Sequence, residues 1–218
     1  MSHYTKEDII RIVEEEDVEF IRLQFVDIFG ILKNMAVTAK QLDSILNNRC
    51  TFDAAAINGF DTMHVDELVL VPDLDTFTIF PWRPQRGRVA RFICDVRHTD
   101  GTPFMGDSRY ILKQVIEEAA KDGYTLNVGP ESEFFLFDMS EDGQPTTNTS
   151  EKGGFFDIGP VDAGENARRD MVLTLEDMGY EVESSHHETA PAQHEIDFKF
   201  TGANEMADCV MTFKMAVR

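Results

Sequence analysis

A chain of 218 residues, 42% hydrophobic and 28% charged, has the composition of a globular protein and the length to bury a core in one large domain or two small ones. Forty Asp and Glu against 20 Lys and Arg give a formal charge of −20, a field that repels nucleic acid and anionic membranes and so leaves out both as partners. Cys50, Cys94 and Cys209 are odd in number and widely spaced, which argues against a disulfide framework or a thiolate zinc site and fits a reducing compartment. Met1 to Asp8 show no basic-then-apolar leader pattern, and no apolar run approaches a membrane span, so the expected location is the cytoplasm.

The elements follow in chain order. Thr5 and Asp8 form a capping-box pattern ahead of Ile9, Ile10, Ile12 and Val13, which predicts a short amphipathic helix ending near Glu14-Glu15-Glu16. Ile21, Leu23 and Phe25 alternate with Arg22 and Gln24 as in a half-buried strand. Asp27 to Gly30 reads as a turn into a second strand over 31–38, followed by a helix over 39–47 and extended segments over 68–71, 76–80 and 89–96. The polar stretch from His98 to Pro103 is the predicted boundary, dividing 1–100 from 101–218. Beyond it, Asp107-Ser108 caps a helix that runs to Lys121 and is closed by Gly123. A strand is predicted over 124–138, a polar surface loop over 139–154, a helix over 165–178 closed by Gly179, and a strand over 180–184. In the last segment Met206, Cys209, Val210, Phe213 and Val217 fall on one helical stripe with no stop signal after it. The expectation is a chain that ends inside a helix, with a stripe needing a surface that these residues do not supply.

Two acidic segments carry the chemistry. In Glu131-Ser132-Glu133-Phe134-Phe135-Leu136-Phe137, strand alternation puts Glu131, Glu133, Phe135 and Phe137 on one side. Two carboxylates beside large aromatics repel one another and are costly to desolvate, and a cation would turn that repulsion into coordination. The plainer alternative is a strand end that stands in water. The second segment, Glu183 to Phe198, holds three Glu and three His. Its latter part alternates His194, Ile196 and Phe198 with Glu195 and Asp197, and Pro191 suggests a turn that brings Glu188 towards Glu195. Oxygen ligands of this kind suit Mg²⁺ or Mn²⁺. Adjacent His186 and His187 point to opposite faces of an extended chain and match no zinc spacing, so supporting roles are expected for them. There is no P-loop and no nucleophile elbow.

Taken together, these segments resemble type I glutamine synthetase, whose N-terminal half this chain is similar to along its whole length. Phe52-Asp53 with Ile57-Asn58-Gly59-Phe60, Val71-Pro72-Asp73 and Ala90-Arg91-Phe92-Ile93-Cys94-Asp95 match it in order and spacing. The resemblance implies an α+β fold, with a small β-grasp-like N-terminal domain followed by the first part of the catalytic domain. It implies Glu131 as a ligand of the metal near ATP, and Glu133, Glu188 and Glu195 as ligands of the metal near glutamate. It implies Glu183 at the nucleotide site, and Asp53 as a catalytic aspartate lent to a neighbouring subunit's ammonium site. The implied reaction amidates L-glutamate with ammonium through a γ-glutamyl phosphate, with ATP as substrate and Mg²⁺ or Mn²⁺ as cofactor, in a homo-oligomer of two stacked hexameric rings. Related readings are a γ-glutamyl-amine ligase and a non-catalytic shortened relative. The chain departs from the pattern at Ala54-Ala55-Ala56, where Gly-Ser-Ser is usual, and at Ala192, where Gly is usual. Family members are about twice as long, which implies a partial site here.

Overall fold

The structure, a computed structural model, describes residues 4–63, 65, 67–83 and 86–218; Met1–His3, the start of the segment read for a leader, lie outside them. The chain divides into two compact units, Met1–Thr125 and Leu126–Arg218. Helices and largely antiparallel sheets occur in both, an α+β fold.

The first unit opens on helix α1 (Lys6–Glu15), whose Thr5–Asp8 capping box forms as the sequence predicts. Ile9 and Val13 enter the core, whereas Ile10 faces out. Six strands follow: β1 (Val18–Val26), β2 (Leu32–Thr38), β3 (Cys50–Asp53), β4 (Glu67–Pro72), β5 (Thr78–Ile79) and β6 (Arg88–His98). They form a mixed sheet in the order β2-β1-β6-β4-β3, with β5 also on β6. Only the β1–β6 pairing among these is parallel. Helix α2 (Leu42–Leu46) lies between β2 and β3 and buries Leu42, Ile45 and Leu46. The core gathers Ile21, Leu23, Leu68, Leu70, Phe92 and Val96 with Phe60 and Phe104; each such side chain contributes roughly 1.5–3 kcal/mol by leaving water.

One expectation changes here. Gln24 is buried rather than half-exposed, because β1 is an interior strand, and it accepts a hydrogen bond from the buried Arg91 at 3.3 Å. The polar stretch after His98 is a tight turn: the His98 and Thr102 backbones bond at 2.9 Å and Arg97 bridges Pro103. Helix α3 (Ser108–Lys121) packs with this unit through charge. Arg109 joins Asp73 and Asp95, each at 2.6 Å, and Lys113 reaches Asp95 at 2.8 Å. Asp107 caps the helix and also accepts the Val96 amide at 2.8 Å.

In the second unit the strand expected over 124–138 is two short strands, β7 (Asn127–Val128) and β8 (Glu131–Phe135), broken at Gly129-Pro130. Pro130 has no amide to give a ladder, which accounts for the break. Helix α4 (Glu165–Asp177), strands β9 (Val182–His187), β10 (Gln193–Phe198) and β11 (Thr201–Gly202), and helix α5 (Ala203–Ala216) complete it. Strands β8, β10 and β9 form an antiparallel sheet in that order, while β11 pairs with β7. A bulge interrupts β9: Ser184 pairs with Asp197 but Val182 pairs with Phe198, leaving Glu183 as the extra residue. The α5 stripe is covered within its own unit, contrary to expectation. Met206, Cys209 and Phe213 are buried with Leu175, Ile196 and Phe198, and Val210 and Val217 pack against them.

Candidate metal centre

The β8–β10–β9 sheet places its polar side chains in rows. Glu133, Glu195 and His186 are direct cross-strand partners, and so are Glu131, Asp197 and Ser184 one row along. Period-two alternation puts both rows on the same face. After β9 the chain turns back through Glu188 to Ala192, closed by the Glu188 amide on the Gln193 carbonyl at 2.7 Å. That turn brings Glu188 onto the face of Glu195. Ligand atoms of His186, Glu188 and Glu195 all lie within 4.8 Å of one another. His186 Nε2 stands 3.0 Å from Glu188 Oε1 and 3.2 Å from Glu195 Oε2. Gln193 donates to Glu133 and Ser184 to Asp197. Phe155 and Phe156 stack on each other and meet the His186 ring edge-on, giving the cluster an apolar border.

Carboxylates this close cannot all ionise without a counter-charge. Burial, then the neighbouring Asp197 and Glu188, push the Glu195 carboxyl up to about 8. Glu188 goes the other way, held below its usual range by the Thr189 amide and then by His186. The pair therefore keeps a proton near neutral pH. Asp197 Oδ1 is buried and accepts no hydrogen bond. Crowded hard oxygen donors, a retained proton and an orphaned carboxylate oxygen together fit a divalent cation such as Mg²⁺ or Mn²⁺.

The opposite face of the same sheet is a buried polar network. His187 and His194 are cross-strand partners with no exposed surface. His187 Nδ1 donates to the Glu188 carbonyl at 2.6 Å and Nε2 donates to Glu151 at 2.9 Å. Burial disfavours charge on this ring, but Glu151 and the carbonyl outweigh it and raise its pKa. Arg168 donates to Asp162 and to His194 Nδ1, each at 2.8 Å. Asp162, His187 and His194 also have ligand atoms within 4.8 Å, yet the Arg168 guanidinium already supplies the positive charge there. The rings leave no room for side chains at two glycines. A Cβ on Gly164 would come 2.4 Å from His194 Nε2, and one on Gly153 would come 2.7 Å from His187 Nε2.

Known proteins share this sequence and fold. The family model described as the glutamine synthetase catalytic domain matches residues 105–218, and the one described as its β-grasp domain matches residues 17–99. This chain belongs to the glutamine synthetase family. Glutamine synthetase of Clostridium saccharobutylicum is 58% identical over 218 residues, all of this chain and 49% of that protein. Glutamine synthetase of Staphylococcus aureus is 52% identical over 216 residues, 99% of this chain and 48% of that protein. The fold also resembles a glutamine synthetase of Plasmodium falciparum solved by electron cryomicroscopy, with a TM-score of 0.83 and 20% identity over all of this chain and 48% of that one. The chain thus spans about half the length of the curated glutamine synthetases it matches.

Against that family, the residues singled out by sequence fall in three places. Glu131, Glu133, Glu188 and Glu195 share the carboxylate face. Glu183 is exposed at the β9 bulge, outside the two rows. Asp53 belongs to the first unit, at the end of β3, where it is exposed and accepts the Ala55 amide at 3.0 Å to cap the turn Ala54–Ala56. Sequence reasoning gives His186 a supporting role and puts Asp197 on the polar side of its strand with Glu195, without naming either among the clustered donors. Strand parity was the available signal, since His186 is two residues before Glu188 and Asp197 two after Glu195. Glu151 and Arg168, in a loop and a helix, gave no such signal. Among the described residues no helix is long and apolar enough to cross a membrane.

Proposed function

We propose that these residues form the N-terminal half of a ligase that uses ATP to amidate L-glutamate with ammonia, through a γ-glutamyl phosphate. The supporting observation is the convergence of Glu188, Glu195 and His186 in one cluster, in register with Glu133 and next to the row of Glu131 and Asp197. Glu133, Glu188 and Glu195 would hold one Mg²⁺ or Mn²⁺ ion and Glu131 would contribute to a second. Such ions neutralise phosphate charge and polarise the phosphoryl group. His186 lies against two of the glutamates, 3.0 Å from Glu188 and 3.2 Å from Glu195. Glu183 is assigned to the nucleotide and Asp53 to proton removal from ammonium in a neighbouring subunit of a double hexameric ring, in the cytoplasm. The domain boundary is proposed at 100/101, with α3 counted in the catalytic domain although it packs with the first unit.

The test is ion binding by this chain. Titrating MnCl₂ or MgCl₂ should raise its thermal midpoint, by mass action worth about 2.7 kcal/mol at a hundred times Kd, and EDTA should reverse the rise. The bound ion must displace the proton that Glu195 holds up to about pH 8. Apparent affinity should therefore climb by up to about tenfold per pH unit towards pH 8 and level off above it. A midpoint indifferent to millimolar Mn²⁺ would remove the metal reading.

A further inference from the structure

Behind the carboxylate face, one side chain grips both ends of the turn that carries Glu188. Glu151 comes from the loop before α4, far from β9 and β10 in sequence. Its Oε1 accepts from His187 Nε2 at 2.9 Å and from the Ala192 amide, and its Oε2 accepts from the Ala163 amide at 3.1 Å. His187 in turn bonds the Glu188 carbonyl at 2.6 Å. Both arms of the turn are therefore tied to one carboxylate.

The two glutamates on the other face differ in what holds them. Glu195 sits inside β10 and is fixed by ladders on both sides. Glu188 lies just past the end of β9, so its backbone depends on the turn. Within that turn Ala192 adopts a φ of +59°, a left-handed conformation disfavoured for a residue with a Cβ. Its amide can face Glu151 in this conformation, and that bond offsets the strain.

We propose that Glu151 is a positioning residue for the metal centre: through His187 and the Ala192 amide it fixes the turn and so sets the spacing of Glu188 from Glu195. This rests on the metal reading of those glutamates. Outer partners of metal ligands act in this way by holding the donor atoms where the ion needs them.

The experiment compares the whole chain with Glu151→Ala, Glu151→Gln and a control, Val210→Ala, which loosens the hydrophobic cluster without touching the turn. Two readouts are taken: Mn²⁺ affinity from electron paramagnetic resonance, and metal-free amide exchange and shifts by NMR. Glu151→Ala should weaken Mn²⁺ binding by about 10- to 100-fold. Glu151→Gln, which keeps an acceptor for Ala192, should fall between it and the native chain. In metal-free protein the Ala192 amide should shift upfield and the Glu188 amide should exchange faster in both. Val210→Ala should lower the melting midpoint and leave Mn²⁺ affinity unchanged. Should Glu151→Ala not fold, Glu151→Gln carries the comparison. Native Mn²⁺ affinity together with native exchange at Glu188 would overturn the proposal. So would an affinity loss no greater than that of a Val210→Ala chain with the same midpoint. If the native chain binds no Mn²⁺, the metal reading fails by itself, and unchanged exchange at Glu188 then refutes the positioning role separately.

Discussion

Replacing Arg168 with methionine should destabilise the Leu126–Arg218 unit by about 3–5 kcal/mol, a large share of the 5–15 kcal/mol that holds a typical domain together. Asp162 is buried, and Arg168 is its charge partner at 2.8 Å. Taking away the guanidinium leaves a carboxylate out of water without its hydrogen-bonded charge partner, while methionine keeps most of the packing. His194 loses its Nδ1 donor at the same time. The pH dependence should invert. In the native chain burial pushes the Asp162 carboxyl up, and Arg168 outweighs it and holds the carboxyl below its usual range. That contribution is present above the ordinary carboxylate pKa and is lost as pH falls through the lower folded value. In the variant burial is still opposed by the Gly164 amide and His194 but no longer by Arg168, the largest opposing influence, so the folded pKa is expected to rise above the unfolded one. Stability is then regained on acidification and lost as pH rises. Urea unfolding followed by circular dichroism at pH 5 and pH 7.5 would read both effects. Adding Asp162→Asn should recover part of the loss by removing the stranded charge. A single variant within 1 kcal/mol of native at pH 7.5 would show that the pair is not the unit's electrostatic anchor.

Glu195→Gln should do two opposite things. It should abolish the Mn²⁺-dependent rise in midpoint, because a neutral amide replaces the most buried of the clustered carboxylates. It should also stabilise the metal-free chain at pH 8, by roughly 1–3 kcal/mol. The folded pKa of Glu195 is raised to about 8 from an ordinary 4.5. Stability linked to its proton is therefore complete below about pH 4.5 and drains away as pH climbs towards 8. Part of this is returned by Glu188, whose pKa moves down, and the expected gain is smaller than the full shift for that reason. Glutamine carries its own hydrogens and has no such decline, so the two melting curves should converge near pH 4.5 and separate by pH 8. Equal midpoints at pH 8, with an equal Mn²⁺ response, would contradict the account of the cluster as carboxylates awaiting a cation.

Much of the site could be read from local pattern. Glu131 and Glu133 share a face by strand parity, and Pro191 signalled the turn that joins Glu188 to Glu195. The α1 capping box and the Asp107 cap of α3 are likewise short-range chemistry that no tertiary context overrode. Long-range partners are where local reading stopped. Gln24 looked like a solvent position, because alternation cannot tell a strand with one covered face from an interior one. The α5 stripe looked unpartnered, because its cover comes from β10 and α4. Glu151 and Arg168 sit in segments whose polarity suits any surface, and their burial follows from which face of the sheet they meet.

The extra residue at Glu183 shifts the phase of a strand that must satisfy two different neighbourhoods. Below it, Val182 is delivered to the hydrophobic cluster opposite Phe198; above it, Ser184 and His186 stand among the acids. Without that offset the two demands would conflict, since residues 182, 184 and 186 would share a side. Deleting Glu183 would close the offset: Val182 would still stand opposite Phe198 and Ser184 opposite Asp197, now as neighbours in a regular ladder. A single loss is therefore what this strand can absorb without moving a side chain to the other face, and the local kink goes with it. An inserted residue needs a second bulge, or it moves the His187 ring to the carboxylate face and His186 to the interior. A sequence alignment that slides a single column across Glu183 assigns every polar side chain of β9 to the wrong layer.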